Sequence, residues 1–130
     1  MKADDFRRIA LAMTDAIEGA HMSHPDFRAA NGRVFASLTE DEKRATASLT
    51  PDQQADLLAR APETFTPAAG AWGRSGWTMI ELKKGDAEIV GEAVTLAWQR
   101  ISGLPGARRK AKAVRRTAVA RPSNNRRTKR

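Results

Sequence analysis

The chain of 130 residues contains no cysteine and no tyrosine, and its aromatic side chains are three Trp and four Phe. Without cysteine there is no disulfide framework, no Cys-ligated zinc or iron–sulfur cluster, and no thiol nucleophile. No apolar run approaches the roughly 18 residues that a membrane span needs. The opening Met1-Lys2-Ala3-Asp4-Asp5 turns acidic at once, where a secretory leader needs a basic stretch and then an apolar one. Catalytic signatures are missing too: there is no phosphate-binding P-loop, no G-x-S-x-G elbow and no H-E-x-x-H pair. The expectation is a cytoplasmic protein that is not an enzyme, holds no cofactor and has the length for one hydrophobic core.

The C-terminal segment lacks acids altogether. Residues 104–130 hold eleven cations and no acidic side chain: Arg108, Arg109, Lys110, Lys112, Arg115, Arg116, Arg121, Arg126, Arg127, Lys129 and Arg130. Residues 1–103 hold the other 12 cations and all 15 acids, a net of −3 within an overall +8. The expected organisation is an acidic domain over 1–103 and a disordered basic tail over 104–130, too poor in large apolar residues to fold alone. Such a tail is attracted to phosphate whatever the base sequence. Nucleic acid is therefore the expected partner, bound without base-sequence preference; no lipidation signal or apolar anchor points to a membrane.

In the domain, Phe6, Ile9, Ala10, Met13 and Ile17 recur at helical spacing and predict a helix over 4–18 that stops at Gly19. Ala20 to Leu49 has strand character. Asn31-Gly32 predicts a type I′ hairpin in which Ala29 faces Val34 and Phe27 faces Ala36. That register sets Arg28 opposite Phe35 on the second face, a cation beside an aromatic that suits a base and a phosphate. Thr46 to Leu49 is a weak third strand.

Thr50-Pro51-Asp52-Gln53 is a capping box with Pro at the first helical position, and Leu57, Leu58 and Ala61 form the stripe of a helix that Pro62 ends. A loop follows, then a strand over Trp77–Leu82 with Thr78, Ile80 and Leu82 on one side. Gly85-Asp86 opens a last helix to about Ser102, ended by Gly103 and Pro105. The one clear strand connection is a hairpin, so the fold class is α+β, a mainly antiparallel sheet with helices packed on it.

Two further clusters are candidates. His21, His24 and Asp26 invite a metal, but alternation along one strand would send His21 and His24 apart, and no metal site is expected. Trp72-Gly73-Arg74-Ser75-Gly76-Trp77 brackets a cation with two indoles; with His24 it outlines an alternative function, a groove for a small ligand or a protein.

Glu18-Gly19-Ala20-His21-Met22-Ser23-His24-Pro25-Asp26-Phe27-Arg28, then Asn31-Gly32-Arg33-Val34-Phe35-Ala36-Ser37-Leu38, Leu49-Thr50-Pro51-Asp52-Gln53-Gln54 and Gly70-Ala71-Trp72-Gly73-Arg74 come in an order that resembles the MmcQ/YjbR family. The resemblance covers about residues 4–101. It implies an antiparallel α+β domain of the CyaY-like or double-wing type and a DNA-binding role, and it brings no catalytic residue.

Overall fold

A computed structural model describes residues 1–106, the side chain of His21 excepted. The elements run α1 (Ala3–Leu11), β1 (Ile17–His21), β2 (His24–Arg28), β3 (Val34–Leu38), β4 (Arg44–Ser48), α2 (Pro51–Arg60), β5 (Phe65–Pro67), α3 (Gly70–Arg74), β6 (Trp77–Glu81) and α4 (Ala87–Ser102). The strands form one six-stranded sheet in the order β1-β2-β3-β4-β6-β5, antiparallel at every pairing. The expected α+β class is what the chain adopts. No helix among the described residues is long and apolar enough to cross a membrane.

Strand alternation gives the sheet two chemically distinct faces. One cross-strand row runs Glu18, Phe27, Ala36, Ala47, Thr78, Pro67, and its four middle members are fully buried. α4 packs over β3 and β4, with α1 beside it. Phe6 of α1 meets Phe27 edge-on at 5.8 Å between ring centroids, while Val90, Ala93, Val94 and Ala97 of α4 are also fully buried. The next row over, Gly19, Asp26, Ser37, Thr46, Met79, Thr66, crosses the opposite face through all six strands.

Both strong capping signals act as read. Thr50 Oγ1 accepts from the Gln53 amide at 3.1 Å while Gln53 Oε1 accepts from the Thr50 amide at 3.0 Å. Asp86 caps α4 through the amides of Glu88 and Ile89.

Three expectations are corrected. The first helix ends at Leu11, because the chain reverses through Asp15 at φ 59°; Ile17 and Gly19 lie in β1. The hairpin signature is displaced as well. Positive φ at both central residues marks a type I′ turn. It occurs at Met22 (51°) and Ser23 (70°), between β1 and β2. At Asn31-Gly32 only Gly32 has positive φ (84°), and the Ala29 amide closes a longer loop by donating to Arg33 O at 2.9 Å. Finally, the loop after α2 contains β5 and α3, elements too short to show a period.

Arg7 staples this frame. Its guanidinium reaches Asp4 at 3.0 Å, Glu18 of β1 at 3.3 Å and Glu42 of the β3–β4 turn at 2.9 Å. Those carboxylates, Glu42 foremost, raise the Arg7 pKa well above the ordinary arginine value.

Candidate functional site

A concavity of about 730 Å³ lies on the face of β2 and β3 that the helices leave open. Met22, His24, Asp26, Arg28, Val34, Ser37 and Glu40 line it. The period of two explains the set: His24, Asp26 and Arg28 are alternate residues of β2, so all three project to one side. The side-chain chemistry there is charged and polar, with Met22 and Val34 as apolar flanks.

Asp26 and Arg28 form a two-point pair, with Arg28 Nε donating to Asp26 Oδ1 at 3.0 Å and Nη2 to Oδ2 at 3.2 Å. The carboxylate is nearly buried, its side chain 5% exposed, whereas the arginine keeps 37% of its side-chain surface. The Asp26 hydrogen bonds hold the Arg28 pKa above its ordinary value, so the guanidinium is charged at any working pH. Gly19, the cross-strand neighbour of Asp26, makes room for the pair. A Cβ there would stand 3.0 Å from Asp26 Oδ1, 3.4 Å from Arg28 Nε and 3.5 Å from its Cζ. The guanidinium therefore lies across β1 at Gly19. Alongside, Ser37 Oγ and Thr46 Oγ1 satisfy one another at 2.6 Å.

Phe35 is not part of this face. The register slips between Phe27 and Arg28, so that Arg28 pairs with Val34 and Phe35 is the extra residue of a bulge. Phe35 is fully buried in the core and Val34 takes the open side. The expected Arg28–Phe35 pair is corrected on that ground, and with it the expected pairing of Ala29 with Val34.

The groove expected around His24, Trp72, Arg74 and Trp77 is also not assembled. His24 is on β2 and Trp77 on β6, with the whole of β3 and β4 between them. At about 4.8 Å per strand, that separation is too wide for both to touch one small ligand. Trp72 and Trp77 do meet, edge-on with ring centroids 6.1 Å apart, but Trp72 is 67% exposed and Arg74 is exposed beside it. Trp98 is half-buried against the core.

His21 and His24 are register partners across the two-residue turn, not alternate positions on one strand, so alternation does not set them apart. Asp26 is committed to Arg28, and no group of three His, Asp or Glu among the described residues suits a metal ion.

The eleven tail cations, Arg108 to Arg130, lie outside the described residues. The chain leading to them is fixed. Asn31 Nδ2 donates to Ile101 O at 2.8 Å and to Leu104 O at 3.1 Å, and Arg33 Nε donates to Pro105 O at 2.6 Å. The tail thus begins beside the β2–β3 turn, at the end of the sheet where Arg28 and Val34 pair. In the sequence Asn31 reads as a turn former and Arg33 as a bare surface cation. A side chain that bonds to the far end of the domain leaves no local signal.

A family model described as YjbR matches residues 11–100, most of the described chain. The chain belongs to the YjbR family. Its fold is shared with solved structures of low sequence identity. A Deinococcus radiodurans protein, DR2400, described as a DUF419 domain, is 18% identical, with a TM-score of 0.65 over 78% of this chain and 79% of that one. A Pseudomonas syringae protein is 16% identical, with a TM-score of 0.62 over 78% of this chain and 99% of its own. No curated protein matches the sequence.

Proposed function

We propose that this YjbR-family protein associates with nucleic acid, without base-sequence preference, through the phosphate backbone, and that its C-terminal tail supplies most of the affinity. The observation that carries this is the charge division: eleven cations without an acid in residues 104–130, against a net of −3 in the rest. Ion pairing in the domain deepens the contrast, because Arg7, Arg8, Arg28 and Arg60 are each engaged by carboxylates. A domain so balanced has little long-range attraction for a polyanion, whereas a cationic segment gains by releasing condensed counterions.

The domain's part is placement. Asn31 and Arg33 hold residues 101–105 against the β2–β3 turn, so bound phosphate is brought to that end of the sheet. A mobility-shift titration on a 30-base-pair duplex tests the reading, comparing the whole chain with one whose eleven tail cations are Gln. Near-complete loss of binding is expected in the second. Equal affinity of the two would refute the tail's role.

A further inference from the structure

The open-face concavity is untouched by a tail-and-phosphate account, and its lining is selective. Among the described residues that line it, one guanidinium, Arg28, stands with two carboxyl side chains, Asp26 and Glu40, and one imidazole, His24. An interior with more carboxylate than guanidinium repels a phosphate but accepts an uncharged ring. The guanidinium is suited to that ring. Two hydrogen bonds to Asp26 fix its plane, Gly19 lets it lie against β1, and 37% of its side chain remains open.

A fixed guanidinium plane is a stacking platform for aromatic rings, nucleobases among them. Met22 is 80% exposed and sits at the tip of the β1–β2 turn. It supplies a polarisable wall on one side of the hollow, and Val34 an apolar one on the other. In duplex the bases are stacked inside the helix; only an unpaired base reaches such a hollow. The tail root adjoins the Arg28–Val34 end, so a base in the hollow has its phosphates on the tail side, away from Glu40.

We propose that this concavity takes one unpaired nucleobase, stacked on the Arg28 guanidinium between Met22 and Val34, so that the protein prefers single-stranded to duplex nucleic acid. The proposal rests on the nucleic-acid reading above and adds a substrate class to it.

The test measures fluorescence anisotropy of the whole chain with three probes of matched phosphate count: a 24-nucleotide strand, the same strand with abasic sugars, and a 12-base-pair duplex. The base-bearing strand is expected to bind about fivefold or more tighter than the abasic one, the scale of one base stacked on a side chain. Arg28→Lys, which keeps the charge and loses the plane, should erase that gap and leave duplex affinity unchanged. Met22→Ala, at an exposed turn tip, should narrow it without threatening the fold. Trp72→Ala, removing an exposed indole that does not line the hollow, should preserve it. Equal binding of base-bearing and abasic strands by the unaltered chain overturns the proposal and leaves the phosphate reading standing. A gap that survives Arg28→Lys and Met22→Ala, or vanishes with Trp72→Ala, also overturns it. Absence of binding to every probe defeats both readings.

Discussion

Asn31 separates two physical accounts of one residue. As a turn former next to Gly32 it is replaceable by Asp, which serves similar turn positions. In the structure its side chain is instead a clamp, with Nδ2 donating to Ile101 O at 2.8 Å and Leu104 O at 3.1 Å, and Oδ1 accepting from the Arg33 amide at 3.0 Å. At about 0.5–1.5 kcal/mol net for each bond, and with one of the three exposed, Asn31→Ala is expected to cost about 1.5–3 kcal/mol. Asn31→Asp retains the acceptor but sets a carboxylate against two carbonyl oxygens at the negative end of α4, and is expected to cost at least as much, about 2–3 kcal/mol. In urea, with m near about 1.5 kcal/mol/M, that lowers the unfolding midpoint by roughly 1–2 M, read from Trp fluorescence. The Asp variant carries a second signature. Below about pH 4 the new carboxyl is protonated and donates again, so its deficit relative to the unaltered chain shrinks as pH falls. An Asp variant within about 0.5 kcal/mol of the unaltered chain, with no pH dependence of the difference, would refute the clamp.

Three other outcomes follow from the geometry. In Gly76→Ala the new Cβ would stand 1.8 Å from the Leu49 carbonyl oxygen, at a φ of +116°. A loss above about 3 kcal/mol is expected by calorimetry, and a variant melting within a few degrees of the parent would contradict it. Met22 and Ser23 are non-glycine residues held at positive φ. Met22→Asn with Ser23→Gly should therefore stabilise by about 1 kcal/mol, raising Tm by several degrees; an unchanged Tm would show that the turn is not strained. The Asp41 carboxylate accepts from the Lys43 amide and the Thr39 hydroxyl, which lowers its pKa. Its contribution is present above the ordinary aspartate value and lost as pH falls through the lowered one; an NMR titration midpoint at the ordinary value would be the contrary result.

What is legible in the sequence is whatever repeats or caps. The stripe of α4, the capping box at Thr50 and the N-cap at Asp86 are local, and each lies where its residues place it. The first helix reads too long because Met13 and Ile17 keep helical spacing beyond its end at Leu11, the chain reversing between them on φ at a single residue, Asp15. Phe65-Thr66-Pro67 is too short for periodicity; it is a strand only because β6 is beside it. The bulge at Phe35 moves one side chain from the open face to the core, and nothing in Val34-Phe35-Ala36 announces it. The site itself is half legible: Arg28 stands out as a cation on a strand, and His24-x-Asp26-x-Arg28 has the period of a strand face. Nothing in the sequence marks Asp26 as its bidentate partner, since it stands out there only beside His21 and His24, and the space at Gly19 depends on the cross-strand register.

The most direct measurement is the slope of log affinity for duplex DNA against log salt, for the whole chain and for a chain ending at Gly106, where the described contacts of Asn31 and Arg33 are all retained. With about six tail cations engaged, the whole chain should show a slope near −5, about a thousandfold weakening between 50 and 200 mM salt. The shortened chain should lose most of both slope and affinity. Equal slopes and equal affinities would contradict the account, placing the phosphate contacts in the domain.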